Sequence, residues 1–377
     1  MEYRKNPKNG DDISLLGMGM MRLPVADGKQ DQIEEKTARA IVDACYQGGV
    51  NYYDSAYYYH DEASEPFTGK ALANYPRGSY RLATKLPLWD MKSLDEAKAA
   101  FETQLKRLNT DYVDYYLIHA MDKDVFATFR QLELTGWLDS LRRSGAIKQM
   151  GFSFHAKPEL LTEILEHYNW DFVQIQLNYI DWEFQNAREQ YEIIEKKGLP
   201  CIVMEPVRGG RLADLGPGGN AVLQRQAPGK SIASWAMRYV AALPNVLTVL
   251  SGMSSAEQVQ DNLATFSNVT PLSAQETAVL EQAAELFKAA ATIPCTQCRY
   301  CMPCPAGVDI PGLMNLLNKV AFDGSTFGLR QRYPHFPEEN NASHCTQCGH
   351  CESVCPQHIP IMATLEKLVA DTAPAAD

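Results

Sequence analysis

The sequence predicts an α/β protein: a (β/α)8 TIM barrel followed by a small, cysteine-rich C-terminal domain of helices and loops. Three observations carry this. Short β-branched or aromatic runs alternate with longer amphipathic segments from about residue 13 to residue 269, at the spacing of βα units. Eight such pairs can be counted, the number that closes a parallel barrel. Eight of the ten cysteines then crowd between Cys295 and Cys355 at gaps of two or three residues, a pattern of metal ligation more than of disulfide bridges.

The strand runs are residues 13–19, 50–54, 81–85, 113–119, 147–153, 172–178, 201–205 and 246–251. Helical patterns follow each, clearest in DEAKAAFETQLKRLN, KPELLTEILEHY, NAREQYEIIEKKG and AEQVQDNLATF, where apolar residues recur every three or four positions. An open doubly wound sheet would place a G-x-G-x-x-G turn after the first strand, and GMGMMR does not supply it. The Gly/Pro-rich insertion at 207–230, directly after the seventh strand, reads as a mobile loop. A further helix at 274–290 is expected to pack against the barrel. The expected organisation is therefore a barrel at 1–273, a connecting helix at 274–290 and a metal-binding domain at 291–377, with a disordered tail after Ala370.

Composition narrows the partners. With 45% hydrophobic and 21% charged residues the chain is globular, and no apolar run approaches the roughly 18 residues of a membrane span. The net charge of −11 lacks the Lys and Arg excess that neutralises nucleic acid or anionic lipid. Small molecules or a basic protein patch are the expected partners. MEYRKNPKNGDD carries no export signal, so the cytoplasm is the expected location. Cys45 and Cys201 stand alone in apolar elements and read as buried small hydrophobes.

Barrel active sites lie at the C-terminal ends of the strands. There the sequence places Asp54, Lys85, His119, Ser153, and Asn178 with Gln174, while Tyr57, Tyr58 and Tyr59 follow Asp54 as candidate proton donors. DSAYYY, SEPFTGKAL, ATK and YYLIHA together resemble the aldo-keto reductase pattern, whose catalytic tetrad is Asp, Tyr, Lys and His. By that resemblance Asp54, Tyr59, Lys85 and His119 are the four, with Tyr57 and Tyr58 as alternative acids. The chemistry suits them. Hydride addition to a carbonyl leaves an oxyanion that needs a proton, and a phenol is a weak acid unless a cation favours its phenolate. Lys85 is that cation, Asp54 its counter-charge, and His119 a hydrogen-bond donor to the carbonyl. Trp89, after the third strand, is a candidate for the substrate pocket.

The resemblance covers most of residues 13–269 and extends to NAD(P)H. VLSGMSSAEQVQDN looks like the family's segment after the eighth strand, which implies that Gly252, Ser254, Gln258, Asp261 and Asn262 contact the adenosine part. Gly209 and Gly210 would let backbone N–H groups approach the pyrophosphate. Ser153-Phe154 stands where many members carry Ser-Asn, and Met204 where an aromatic often stacks on the nicotinamide; Gln174 is retained. These departures leave room for a flavin such as FMN in the same slot.

CTQCRYCMPCP (Cys295, Cys298, Cys301, Cys304) and CTQCGHCESVCP (Cys345, Cys348, Cys351, Cys355) are internally duplicated. The second is the bacterial ferredoxin run C-x2-C-x2-C-x3-C-P, and the first is one residue shorter. Two [4Fe-4S] clusters are expected, with Cys304 and Cys355 each crossing to the other half's cluster as in two-cluster ferredoxins. Zinc needs only two Cys-x-x-Cys pairs and explains neither the triplets nor the Cys-Pro ends.

The leading functional expectation is reduction of an aldehyde or ketone, or the reverse alcohol oxidation. A second is a flavin enzyme passing single electrons through the clusters to a redox partner protein. A third is a non-enzymatic redox sensor.

Overall fold

The chain opens with a feature the βα pattern did not announce, a hairpin of β1 (Tyr3–Lys5) and β2 (Asp12–Ser14) paired antiparallel. The first strand run therefore splits in two, and only β3 (Leu16–Gly19) enters the barrel. The structure is a computed structural model that describes residues 1–290, 292–321 and 327–373. Parallel strands β3, β4 (Tyr52–Asp54), β5 (Arg81–Leu86), β6 (Val113–Met121), β7 (Ile147–Phe154), β8 (Phe172–Gln176), β9 (Cys201–Met204) and β10 (Val246–Ser251) close in sequence order, β10 pairing back onto β3. The expected (β/α)8 barrel is thus present, with strand ends moved by at most a few residues.

The barrel helices are α1 (Glu35–Gln47), α2 (Ser64–Leu72), α3 (Leu94–Arg107), α4 (Lys123–Gln131), α5 (Leu134–Ser144), α6 (Pro158–His167), α7 (Asp181–Phe184) and α8 (Ala187–Lys196). Their starts follow local chemistry. The α3 N-cap Ser93 accepts from the Glu96 N–H, and its buried face is Ala97, Ala100, Phe101 and Gln104. Among the described residues no helix is long and apolar enough to cross a membrane.

The insertion after β9 corrects the sequence expectation of a mobile loop. It contains α9 (Gly216–Gln226), which starts with a proline in its first turn and continues through the helix-compatible run NAVLQRQ. Beyond it lie α10 (Ile232–Ala241) and α11 (Ala256–Ser267), then α12 (Ala274–Ala289), whose Ser273–Glu276 capping box fixes its start. α9 and α12 pack together, and the chain divides into two units: Met1–Pro206 with Ser234–Leu272, and Val207–Ala233 with Ser273–Asp377. The insertion expected to serve the barrel mouth is therefore grouped with the cysteine segment.

The second unit continues with α13 (Ile310–Ala321), α14 (Phe327–Arg332), α15 (His350–Ser353) and α16 (Ile361–Thr372). Its own core includes Val308, Ile310, Leu313, Met314, Ile361 and Leu365, all almost fully buried. Where a disordered tail is expected after Ala370, α16 runs on to Thr372, and residues 374–377 lie outside the described residues.

Gly69 on α2 and Gly136 on α5 make a paired test of this packing. A Cβ at Gly69 would sit 2.6 Å from the backbone of Arg107 and Leu108, whereas one at Gly136 meets nothing within 4 Å. Gly69→Ala is expected to destabilise the protein by about 1–3 kcal/mol, and Gly136→Ala to stabilise it by about 0.5 kcal/mol through its unfolded state. Thermal and urea unfolding of both variants measures the two signs.

Candidate active site and cysteine-lined cavities

Strand side chains alternate, so residues two apart share a face. Tyr52, Ala83, Tyr115, Leu117, Phe172 and Ile202 form one buried cluster of the barrel. Two residues further on lie Asp54, Lys85, His119, Gln174 and Met204. One more step thus changes the filling from apolar to polar at the C-terminal rim on four of these strands, while β9 keeps the apolar Met204. The β6–β7 register slips between Ile118 and Met121, and Ala120 takes φ 49°. His119 sits in this bulge, a device that re-aims side chains beside sites. Ser153 Oγ accepts the Ala120 N–H at 2.8 Å and braces it.

Lys85 is fully buried, and its ammonium donates to Asp54 Oδ1 at 2.5 Å, Ser55 O at 2.7 Å and the Tyr59 hydroxyl at 3.2 Å. Those bonds match its three donors. Burial pulls Lys85 below its usual value and pushes Asp54 above its own, each offset in part by the other. The His119 ring lies 5.8 Å from that of Tyr59, edge to face. Burial, then the Lys85 charge, then His155, hold its pKa well below the usual 6.5, so it is neutral at physiological pH.

The three tyrosines diverge. Tyr57 stacks near the Arg107 guanidinium, 4.3 Å from the ring centre. Tyr58 is exposed beside Trp89, and burial and a hydrogen bond to Asp90 raise its pKa. It is Tyr59 whose oxygen meets Lys85. Trp89, half-exposed, stands 5.0 Å from the His119 ring, where an apolar substrate wall is expected. Asn178 instead holds a turn: its Oδ1 accepts the Ile180 and Asp181 N–H groups, and its Nδ2 donates to Asp181 and to Glu205 O.

Sequence reasoning missed three supports. His60, buried with φ 55°, accepts the Leu23 N–H at Nε2 (3.1 Å) and contacts Gln30 O through Nδ1, tying the Tyr59 loop to the loop after β3. Arg107 pairs with Glu62 in the same loop. Arg22 pairs with Glu205 at 2.9 Å, and its side chain lies 3.0 Å from where a Cβ of Gly252 would be. Only the left-handed residue His60 lay beside a recognisable motif.

Gln174 Nε2 reaches Met204 Sδ at 3.5 Å, a weak contact, while Gln174 Oε1 is buried with no partner. That orphaned acceptor suits an amide N–H, as a nicotinamide carboxamide would supply. Ser254 Oγ donates to Arg22 O, and its N–H donates to Gln258 Oε1 at 2.7 Å. Asn262 Nδ2 donates to Ser251 Oγ, and Asp261 is half-buried on α11. Gln258, Asp261 and Asn262 thus lie on the first two turns of α11, with Ser254 just before it.

In the second unit Gly209 packs closely against the cysteine segment. A Cβ there would be 2.3 Å from Thr296 O, whereas at Gly210 it would meet nothing within 4 Å. The duplicated cysteine runs share a backbone, since Gln297 and Gln347 take φ 56° and 54° in the two CTQC turns. Two cavities of about 350 Å³, counting space that opens to solvent, lie among the thiols. Cys345, Cys348 and Cys351 line one with Cys304 and Cys301; Cys295, Cys298 and Cys301 line the other with Cys355. Each triplet is thus met by the terminal cysteine of the other run. Among the described residues no three His, Cys, Asp or Glu side chains converge as a single-ion site requires.

Comparison with known proteins follows the same division. The model of the aldo/keto reductase family matches residues 15–285, and that of a 4Fe-4S dicluster domain matches residues 294–359. L-galactose dehydrogenase of Arabidopsis thaliana is 26% identical over 294 residues, covering 72% of this chain and 90% of that protein. The NADH-specific methylglyoxal reductase of Escherichia coli (strain K12) is 25% identical over 328 residues, covering 75% and 99%. An aldo-keto reductase of Bacillus halodurans, in its holo form, superposes with a TM-score of 0.62 at 27% identity, covering 75% of this chain and 96% of that one. The barrel, its polar rim and the paired cysteine runs therefore belong to an oxidoreductase of the aldo/keto reductase family that carries a C-terminal ferredoxin-type domain.

Proposed function

We propose that the barrel reduces an aldehyde or ketone, or oxidises the corresponding alcohol, with Tyr59 as the general acid and NAD(P)H as the cofactor. One observation carries this reading: Lys85 Nζ is shared between Asp54 Oδ1 at 2.5 Å and the Tyr59 oxygen at 3.2 Å. As Tyr59 gives its proton to the carbonyl oxygen, the Lys85 ammonium stabilises the charge left on the phenol oxygen. Asp54 keeps that ammonium charged despite its burial. Neutral His119 donates a hydrogen bond to the same carbonyl oxygen and orients it. Trp89 and Tyr58 wall the approach with aromatic surface.

The nicotinamide, when bound, supplies the hydride. Gln174 Oε1 would accept from its carboxamide, with Met204 alongside and Ser153 steadying the bulge. Gly252, Ser254, Gln258, Asp261 and Asn262 would serve the adenosine part. Arg22 is the cation beside Gly252 and already holds Glu205. A 2′-phosphate has to compete with that carboxylate, and one relative is named for NADH, so both forms remain in the proposal. Met204 in place of an aromatic ring favours a second reading of the slot, FMN with electrons passed to a partner protein. Flavin bands in an anaerobic spectrum decide between the two.

The two cavities fit two [4Fe-4S] clusters, one on Cys295, Cys298, Cys301 and Cys355, the other on Cys345, Cys348, Cys351 and Cys304. Such clusters supply one-electron storage.

Tyr59→Phe is expected to lower kcat for carbonyl reduction by about 10²- to 10⁴-fold with cofactor affinity nearly unchanged. Tyr57→Phe and Tyr58→Phe should stay near wild type, and full activity in Tyr59→Phe assigns the acid elsewhere.

The depressed pKa of His119 also fixes a sign for stability. Unfolded, an ordinary histidine takes up a proton below about pH 6.5 that the folded site refuses, so stability falls as pH drops through that value. His119→Asn should lose less Tm than wild type between pH 7.5 and 5.5. Equal losses remove this account of His119.

Anaerobically prepared protein should contain about eight iron and eight acid-labile sulfide per chain, the content of two cubanes. Zinc without sulfide is the opposing result.

A further inference from the structure

We infer that Arg208 and Arg211 set the reduction potential of the cluster at Cys295, Cys298, Cys301 and Cys355, raising it above that of the second cluster. The inference rests on the two-cluster reading above.

Its basis is a turn inside the second unit. Arg208, Gly209 and Gly210 take φ 50°, 65° and 88° in succession, and the turn is closed by Arg211 N–H to Arg208 O at 3.2 Å and Leu212 N–H to Val207 O at 3.0 Å. Its tip lies against the cysteine segment, because a Cβ at Gly209 would come within 2.3–2.8 Å of the Thr296 backbone. Thr296 is itself buried and lines the cavity of the Cys295 triplet. Two arginines therefore flank the point where the turn touches the residue after Cys295.

Both are withdrawn from water. Arg208 is 4% exposed. Arg211 stands over the Phe287 ring, and its Nη2 is buried with no hydrogen-bond partner. Two guanidinium charges held together away from water raise each other's energy, and burial with Arg208 brings the Arg211 pKa down to about 10, opposed by Cys295 and by Asp214 on the exposed stretch that follows. Such a pair is stabilised by a nearby anion. Four thiolates around a cubane make a dianion, which becomes a trianion on taking one electron, with no proton moved and no bond broken. Fixed positive charge favours the more negative state and so raises the potential.

The other cavity is built differently. Arg299 lines the Cys295 cavity, adding a third guanidinium, whereas the residues lining the Cys345 cavity include no Lys or Arg. Glu352 follows Cys351 and adds negative charge on that side. The asymmetry ranks the clusters: an electron reaching the pair rests at the Cys295 side.

The experiment is a dithionite titration of anaerobic full-length protein followed by electron paramagnetic resonance, with iron and sulfide measured on the same samples. Arg208→Gln and Arg211→Gln should each move the higher of two midpoint potentials downward and leave the lower one in place. Arg299→Gln should move the same midpoint, and Arg211→Lys, which keeps the charge, should stay near wild type. Full iron and sulfide with both midpoints unmoved in the three Gln variants overturns the inference and leaves the cluster reading standing. Absence of iron and sulfide from wild type overturns both.

Discussion

A lysine ammonium with no exposure to water stays charged only where protein groups replace every bond that water made. Lys85 meets that demand with a carboxylate, a carbonyl and a phenol. The requirement organises the mouth of the barrel. Asp54 must end its strand one neighbour away, the chain after it must bend so that Tyr59 returns to Lys85, and the Met20–Gln30 loop must hold that bend through His60. The charge also spreads to His119, which stays neutral partly because Lys85 does not.

What was legible in the sequence was what period and spacing encode. Alternation in β4, β5, β6 and β8 carried Asp54, Lys85, His119 and Gln174 to one face, and counting βα pairs gave the closure. The cysteine runs were legible for another reason, since ligand spacing is local and repeats.

The illegible parts depend on contacts between distant segments. Nothing in GMGMMR marks Arg22 as the neighbour of Gly252, and nothing in AYYYHDE says that His60 bonds to Leu23. The insertion after β9 misled because glycine and proline read as loop, while the helix it contains is stabilised by packing of α9 on α12, and packing outweighs propensity. Nor does anything in PVRGGRL show that the missing Cβ of Gly209 makes room for the Thr296 backbone. The resemblance names Tyr59 among the three tyrosines, but the residues alone do not separate them, because Tyr57, Tyr58 and Tyr59 differ less in sequence than in which cation or carboxylate each ring meets.

The crossing of the cysteine runs has a consequence for how the chain is made. Each cavity takes a cysteine triplet from one repeat and at least one further cysteine from the other, so neither repeat is a self-sufficient module despite their likeness. Synthesis in chain order leaves the earlier triplet incomplete until Cys355 has been added, and the later triplet is finished at almost the same moment. The last walls of both cavities are therefore synthesised close together, after all eight barrel strands. A chain interrupted anywhere between the repeats would hold all the barrel strands and the first triplet without the walls that complete either cavity.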